Sequence, residues 1–312
     1  MEFRNRTLTD VHDHSLAVSG WEQTYRQLSP GRFEGSLLQA QTADFLLFKE
    51  STNRRLAQSG RSPDSFSSIA LPIDRLANCT FQGCHVDGYA LLLLGGAMDF
   101  RFYTPESLHY LGVSIPSLRM KTLVAAILGD RAVELLDRSV LPVSMDVGER
   151  VGAGLSYFVR AHGEQPHVLA NPAAGKRFQD EILSTVIDLF NPNSPGKRDV
   201  THATYAEIVH RSEQLVQEGA EQQPTVLDLC VALRCSRRTL QTSFRRVANV
   251  SPVEYLRSVR LNGVRRLLRS TSSEELTVGD AAARWGLTHP SYFAREYRDL
   301  FGELPSQTPR KH

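Results

Sequence analysis

Two stretches of the chain, 52 residues apart, follow one pattern: TVLDLCVALRCS at 225–236 and TVGDAAARWGLT at 277–288. Thr225 stands over Thr277, Val226 over Val278, Asp228 over Asp280 and Cys230 over Ala282. One residue inserted in the following turn moves the offset to 53, after which Leu240 meets Phe293, Phe244 meets Tyr297, Val247 meets Leu300 and Pro252 meets Pro305. A duplicated unit that keeps its apolar stripe must fold twice into the same supersecondary piece. Each copy reads as two short helices joined by a tight turn. Ser236 and Thr288 are placed as N-caps of the second helix, and Pro290 is tolerated in a first turn whose N–H groups need no helical partner.

The second helix of each copy has two faces. Leu240, Phe244 and Val247 recur at helical spacing and must pack. Arg238, Gln241, Thr242 and Arg245 then share the opposite side, and Ser291, Ala294, Arg295 and Arg298 are their counterparts in the second copy. A helix about 10–12 Å wide fits the major groove of B-DNA. There Arg reads guanine and Gln reads adenine through paired hydrogen bonds.

Charge points the same way. Residues 1–200 carry 20 Lys and Arg against 22 Asp and Glu, whereas residues 201–312 carry 16 against 12. Within 234–269 there are ten arginines and one acid, Glu254. A planar guanidinium suits phosphate and guanine alike, so double-stranded DNA is the expected partner. Pro252 to Arg269 reads as a connecting helix with Pro in its first turn. Its roughly 27 Å falls short of the roughly 34 Å between successive major-groove faces, so one chain is expected to occupy two adjacent segments and bend the duplex.

The segment Asn191-Pro192-Asn193-Ser194-Pro195-Gly196 is rich in turn formers and is placed in a linker at 191–200, between a regulatory and dimerisation unit at 1–190 and a DNA-binding unit at 201–312. With 312 residues and 41% hydrophobic content, two globular units are expected. From Phe66 to Ile115, short apolar runs alternate with Gly and Pro, as in a small barrel or sandwich. Helices are predicted over about Ser117–Arg138, Asp146–Ala161 and Pro172–Phe190. In the last, Phe178, Ile182, Val186 and Leu189 form one stripe. Leu183, Ile187 and Phe190 form a second beside it, read either as a homodimer interface or as part of one wide core face. The longest apolar run, Tyr89 to Leu94, is too short to cross a bilayer, and the first residues lack a secretory signal; a cytoplasmic location is expected.

The last 110 or so residues resemble the tandem helix-turn-helix domain of the AraC/XylS family of bacterial transcription regulators. The resemblance is carried by Leu229-Cys230, Ala281-Ala282, Ser236 to Phe244 and, most specifically, GLTHPSYFAREYRDLFGELP at 286–305. It implies base contacts from Arg238, Gln241 and Thr242 and from Ser291, Tyr292 and Arg295. Cys230 stands where the family usually has Ala, and Leu304 where it often has Ser. The segment SGWEQTYRQLSPGRFEGSL at 19–37 resembles the ethanolamine-utilisation type of these regulators, which implies a cupin-like regulatory domain for a small effector or a protein partner. The expected fold is thus α+β: an N-terminal cupin-like β-barrel with helices, then an all-α tandem helix-turn-helix. RNA polymerase is a further expected partner of such a regulator.

The alternative, an enzyme with a cupin-like catalytic domain fused to a DNA-binding domain, is disfavoured. His85, Asp87, Asp99 and His109 follow no recognised catalytic order, and no phosphate loop or nucleophile elbow is present. His12-Asp13-His14 lacks a third ligand at useful spacing, so no metal or other cofactor is expected. Cys79/Cys84 and Cys230/Cys235 lack zinc-finger spacing and read as reduced thiols, with a redox pair at Cys79/Cys84 the lesser reading.

Overall fold

The computed structural model describes residues 1–164, 169–187, 189–190, 200–218, 224–233, 235, 237–287 and 290–311. The expected N-caps Ser236 and Thr288, residues 191–199 of the expected linker and the side chain of Arg238 lie outside the described residues.

The N-terminal half holds eleven strands: β1 (Glu2–Leu8), β2 (Glu22–Gln27), β3 (Gly35–Thr42), β4 (Phe45–Thr52), β5 (Leu56–Arg61), β6 (Phe66–Pro72), β7 (Leu76–Phe81), β8 (Cys84–Leu94), β9 (Asp99–Tyr103), β10 (Leu108–Pro116) and β11 (Val140–Val143). A short helix, α1 (Val11–Ala17), joins β1 to β2. The strands hydrogen-bond in the order β1-β3-β4-β10-β6-β8-β7-β9-β5-β2, with β11 on β8. Every pairing is antiparallel. The sheet curls into an open half-barrel, the cupin-like β domain expected.

Its central strands are buried on both faces, which is why they read as continuous apolar runs. Along β8, Ala90, Leu92 and Leu94 point into the barrel, while Leu91 and Leu93 point outward beneath helices. In β4, Leu46 and Phe48 point in, and Phe45 and Leu47 point out. β7 turns into β8 at Gln82-Gly83, both with positive φ (48° and 73°), the two-residue turn whose twist suits a hairpin. Cys79 pairs in register with Val86, and Cys84 with Phe81, so the two thiols are not cross-strand partners. Burial pushes the Cys79 thiol up to about 12.

The outer face is covered by α2 (Ser117–Leu128), α3 (Met145–Gly163) and α4 (Pro172–Ile187). The helix expected to run to Arg138 stops at Gly129, whose φ of 88° breaks the α geometry, and a 3₁₀ segment, Asp130–Asp137, follows. The placement of Leu183, Ile187 and Phe190 in a dimer interface requires correction. They are 4%, 1% and 1% exposed and lie in the same core as Phe178, Ile182 and Val186. The two stripes, which run past the end of α4 to Phe190, belong to one core that also holds Leu47 of β4 and Val113 of β10.

The C-terminal half is helical: α5 (Val200–Glu218), α6 (Val226–Ala232), α7 (Arg237–Val247), α8 (Pro252–Ser270), α9 (Val278–Arg284) and α10 (Pro290–Phe301). The repeated Thr and Asp prove to be a repeated start signal. Thr225 and Thr277 cap α6 and α9 by accepting the N–H of Asp228 and Asp280. Ser251 and Glu254 form a reciprocal capping box around Pro252 at the start of α8. The apolar stripes are buried as expected: Leu240, Phe244 and Val247 in one cluster, Phe293, Tyr297 and Leu300 in a second.

Candidate nucleic-acid interface

The two copies are α6–α7 and α9–α10, and α8 connects them. In each copy the second helix packs one side and presents the other. On α7, Gln241 and Arg245 are exposed and Thr242 is half-buried; on α10, Ser291, Tyr292, Arg295 and Arg298 are exposed. A cleft of about 750 Å³ brings Arg245 of α7 together with Tyr292 and Arg295 of α10. Gln241, Thr242, Ser291 and Arg298 do not line it.

Within that cleft two guanidinium groups stand close to the Tyr292 ring. Arg257 of α8 is 5.9 Å and Arg295 5.1 Å from its centroid, within the range of cation–π attraction. Glu296, 8% exposed, holds Arg257 at 2.9 Å. A hydrogen bond to Glu296 and the charge of that carboxylate push the Tyr292 phenol upward. The presentation of Arg295 is thus set by an aromatic platform that α8 supports. The resemblance had pointed to Tyr292, but helical spacing alone had not.

Among the described residues, three cations of the basic stretch form ion pairs within the chain. Arg257 pairs with Glu296. Arg265 donates to Asp10 at 2.7 Å and to Glu303 at 2.5 Å, and Arg269 pairs with Asp10 and Asp13. Asp10 and Asp13 belong to the N-terminal half, where Asp10 also caps α1.

The half-barrel therefore docks on α8. Asn262 donates to the Gln27 carbonyl at 3.2 Å, and the Gln27 side chain donates to the Leu300 carbonyl in α10 at 2.5 Å. The Gly31 N–H reaches the carbonyls of Asp299 and Leu300 at 3.0 and 3.1 Å, and Arg55 donates to the Asn249 carbonyl, just beyond α7, at 2.9 Å. A buried cluster joins Arg26, Glu213 and Tyr255: Tyr255 donates to Glu213, and Arg26 lies 3.4 Å from both. Burial lowers the Arg26 pKa, but Tyr255 and Glu213 outweigh it and hold the group charged. One face of the barrel thereby touches the C-terminal ends of both presented helices and fixes them relative to each other. Sequence reasoning missed this contact, whose partners stand more than 180 residues apart.

Comparison with known proteins matches residues 229–311 to the family described as a helix-turn-helix domain. The chain is 26% identical over 151 residues to the XylDLEGF operon transcriptional activator 3 of Pseudomonas putida, covering 47% of this chain and 44% of that protein. It is 26% identical over 212 residues to the probable thc operon regulatory protein of Rhodococcus erythropolis, covering 66% and 63%. A crystal structure of the AraC-like transcriptional activator CuxR aligns over 90% of this chain and 100% of that one, at 14% identity and a TM-score of 0.40. The chain spans about half the length of the curated Pseudomonas putida relatives it matches. Residues 229–311 are thus a helix-turn-helix domain, of the kind found in AraC/XylS-type regulators.

Proposed function

We propose that this chain is a sequence-specific, DNA-binding transcription regulator of the AraC/XylS kind and not an enzyme. In this reading residues 201–312 bind DNA, residues 191–200 are a linker, and residues 1–190 regulate. The observation that carries the reading is the duplication itself: two capped helix pairs, each presenting arginine beside small polar side chains. Arg238, Gln241, Thr242 and Arg245 read one major-groove segment, and Ser291, Tyr292, Arg295 and Arg298 the next. Arg contacts to guanine are each worth about 1–3 kcal/mol of discrimination.

The chain acts in the cytoplasm on promoter DNA, meets RNA polymerase there and works as a homodimer. Because Leu183, Ile187 and Phe190 are buried, the dimer uses another face; Leu118 on α2 and Tyr157 on α3, 79% and 67% exposed, are apolar side chains left uncovered. Among the described residues no helix is long and apolar enough to cross a membrane. A small-molecule effector bound within the half-barrel controls the docking of β2 on α8.

In-vitro selection of bound duplex, run with the full chain and with Arg238→Ala and Arg295→Ala, tests the reading. A two-part motif is expected, each part relaxed by one variant. Equal affinity for scrambled and selected sequence would refute it.

A further inference from the structure

Two thiols meet in the turn of the first helix pair. Cys230 lies in the last turn of α6 and Cys235 between α6 and α7, both half-buried against the core of Leu229, Leu240 and Phe244. The Cys235 N–H donates to the Cys230 carbonyl at 3.1 Å, and the two side chains are hydrogen-bonded to each other. The second copy closes its turn in the same way. There the Leu287 N–H donates to the Ala282 carbonyl at 2.9 Å, and the Ala282 and Leu287 side chains belong to one apolar core. Where the second copy sets a methyl group beside an isobutyl group, the first sets two sulfurs.

The other two cysteines are placed differently. Cys79 is fully buried and its thiol donates to the Val86 carbonyl at 3.4 Å, while Cys84 stands opposite Phe81. At 230 and 235 the backbone has already closed the short loop that a bridge would close, so joining the sulfurs costs little further chain entropy. Burial and then the Cys230 sulfur push the Cys235 thiol above its ordinary value. Cys235 thus keeps its proton while Cys230 is a free sulfur, and Cys230 is the one placed to attack first. Once Cys230 is bound to another sulfur, its charge no longer opposes the release of the Cys235 proton. In sequence, Arg234, Arg237 and Arg238 stand within three residues of Cys235, and such a concentration of cations draws anionic reagents.

From two half-buried thiols in contact across a closed turn, we infer that Cys230 and Cys235 are a redox site, joined reversibly by an anionic small-molecule disulfide of the glutathione class. The Cys230 thiolate attacks one sulfur of the external disulfide, whose S–S bond breaks and releases one thiolate. Cys235 then loses its proton and attacks the Cys230 sulfur; the mixed S–S bond breaks and the second external thiolate leaves. The pair is oxidised by two electrons, and the external disulfide is reduced to two thiols that take up the two protons. Joining draws the sulfurs to about 2.05 Å. Leu240 and Phe244 are fully buried and anchor α7, so the strain falls on the turn that leads into that helix. A strained, accessible disulfide is easily reduced, which suits a transient sensor. The consequence for DNA, a displaced start of α7 and weaker reading of the first segment, rests on the regulator reading above; the redox site itself does not.

The test equilibrates the full-length chain in buffers of rising oxidised to reduced glutathione, quenches with acid, and measures intact mass and linked peptides. The expected product has lost two hydrogens, links Cys230 to Cys235, and returns to the dithiol in dithiothreitol. Cys230→Ala and Cys235→Leu, the residues found at the matching positions of the second copy, should each stop at a glutathione adduct or not react. Linkage of Cys79 to Cys84 instead, glutathione adducts on the unsubstituted chain with no internal bond, or no reaction at all would each overturn the assignment, and none of these readings depends on a variant folding. The same preparations are assayed with the selected duplex. Oxidation should weaken binding about tenfold, the worth of one base contact, with the loss confined to the segment that Arg238→Ala relaxes; the chain carrying both cysteine substitutions should bind alike in all buffers. An internal disulfide that leaves duplex binding unchanged would overturn the consequence for DNA. An internal disulfide in a chain that reads no sequence refutes the regulator reading and supports the redox site, whereas sequence-specific binding by a chain that forms no internal disulfide refutes the redox site alone.

Discussion

Asp10→Asn isolates the charge that ties the half-barrel to α8. Asp10 has a side chain only 7% exposed and serves two purposes. It accepts the N–H groups of His12 and Asp13 at 2.8 and 3.1 Å, and it pairs with Arg265 and Arg269. Asparagine caps a helix about as well as aspartate, so the substitution keeps the first purpose and removes the second. Breaking one side of a buried pair costs about 3–5 kcal/mol. Arg265 retains Glu303, and Arg269 retains Asp13, which sets the expectation at the lower end, about 3 kcal/mol, or roughly a hundredfold in the docking equilibrium.

The chain has two tryptophans, Trp21 in the half-barrel and Trp285 beside α8. In a Trp21→Phe background, urea unfolding followed by Trp285 emission reports the helical half alone, and Asp10→Asn should bring its transition to lower urea. Asp10→Ala should cost about 1 kcal/mol more through the lost cap. A change within about 0.5 kcal/mol for Asp10→Asn, the range of an ordinary surface substitution, would refute the buried-pair argument. The same residue sets an acid limit. Burial raises its pKa, but Arg265 and Arg269 more than offset this and hold the carboxyl below its ordinary value. Its contribution is therefore complete above about pH 4, the unfolded value, and is lost as pH falls through the lower folded value. Asp10→Asn should flatten that part of the pH–stability curve.

Gly263→Ala should destabilise the helical half by about 1–3 kcal/mol in thermal unfolding, because a Cβ there would lie 2.2 Å from the Trp285 ring; an unchanged midpoint would mean that the ring moves aside freely. Ile187→Glu places a carboxylate in the N-terminal core, and soluble folded protein should fall sharply. A folded Ile187→Glu chain whose sedimentation mass alone changes would restore the interface reading of that helix.

The helical half was legible because its signals are local. Thr225 with Asp228 and Thr277 with Asp280 are start signals four residues long, and Leu240/Phe244 and Phe293/Tyr297 recur about one turn of helix apart. The run Tyr89 to Leu94 was legible as a strand for the same reason. The earlier strands were not, because polar side chains at Gln27, Gln39, Glu50 and Gln58 are buried and break the alternation that marks a half-buried strand. Their partners come from other strands, from α1 and from the helical half. Leu183, Ile187 and Phe190 show the opposite limit: a second apolar stripe looks the same whether a sheet or another chain covers it. The ion pairs of Arg265 and Arg269 had no local signature at all, and the basic stretch read as freer than it is.

That pairing has a consequence for the ionic atmosphere around the molecule. Asp10 and Asp13 act as built-in counterions for two of the ten arginines between 234 and 269. DNA binding releases small ions only where protein cations replace them at phosphates, at about 0.9 in the logarithmic salt slope per phosphate neutralised. A docked half-barrel holds two positive charges out of that exchange. Undocking would free Arg269, while Arg265 keeps Glu303, so in the regulator proposed above the state of the N-terminal half would register in how steeply salt weakens DNA binding, even where the base contacts are unchanged.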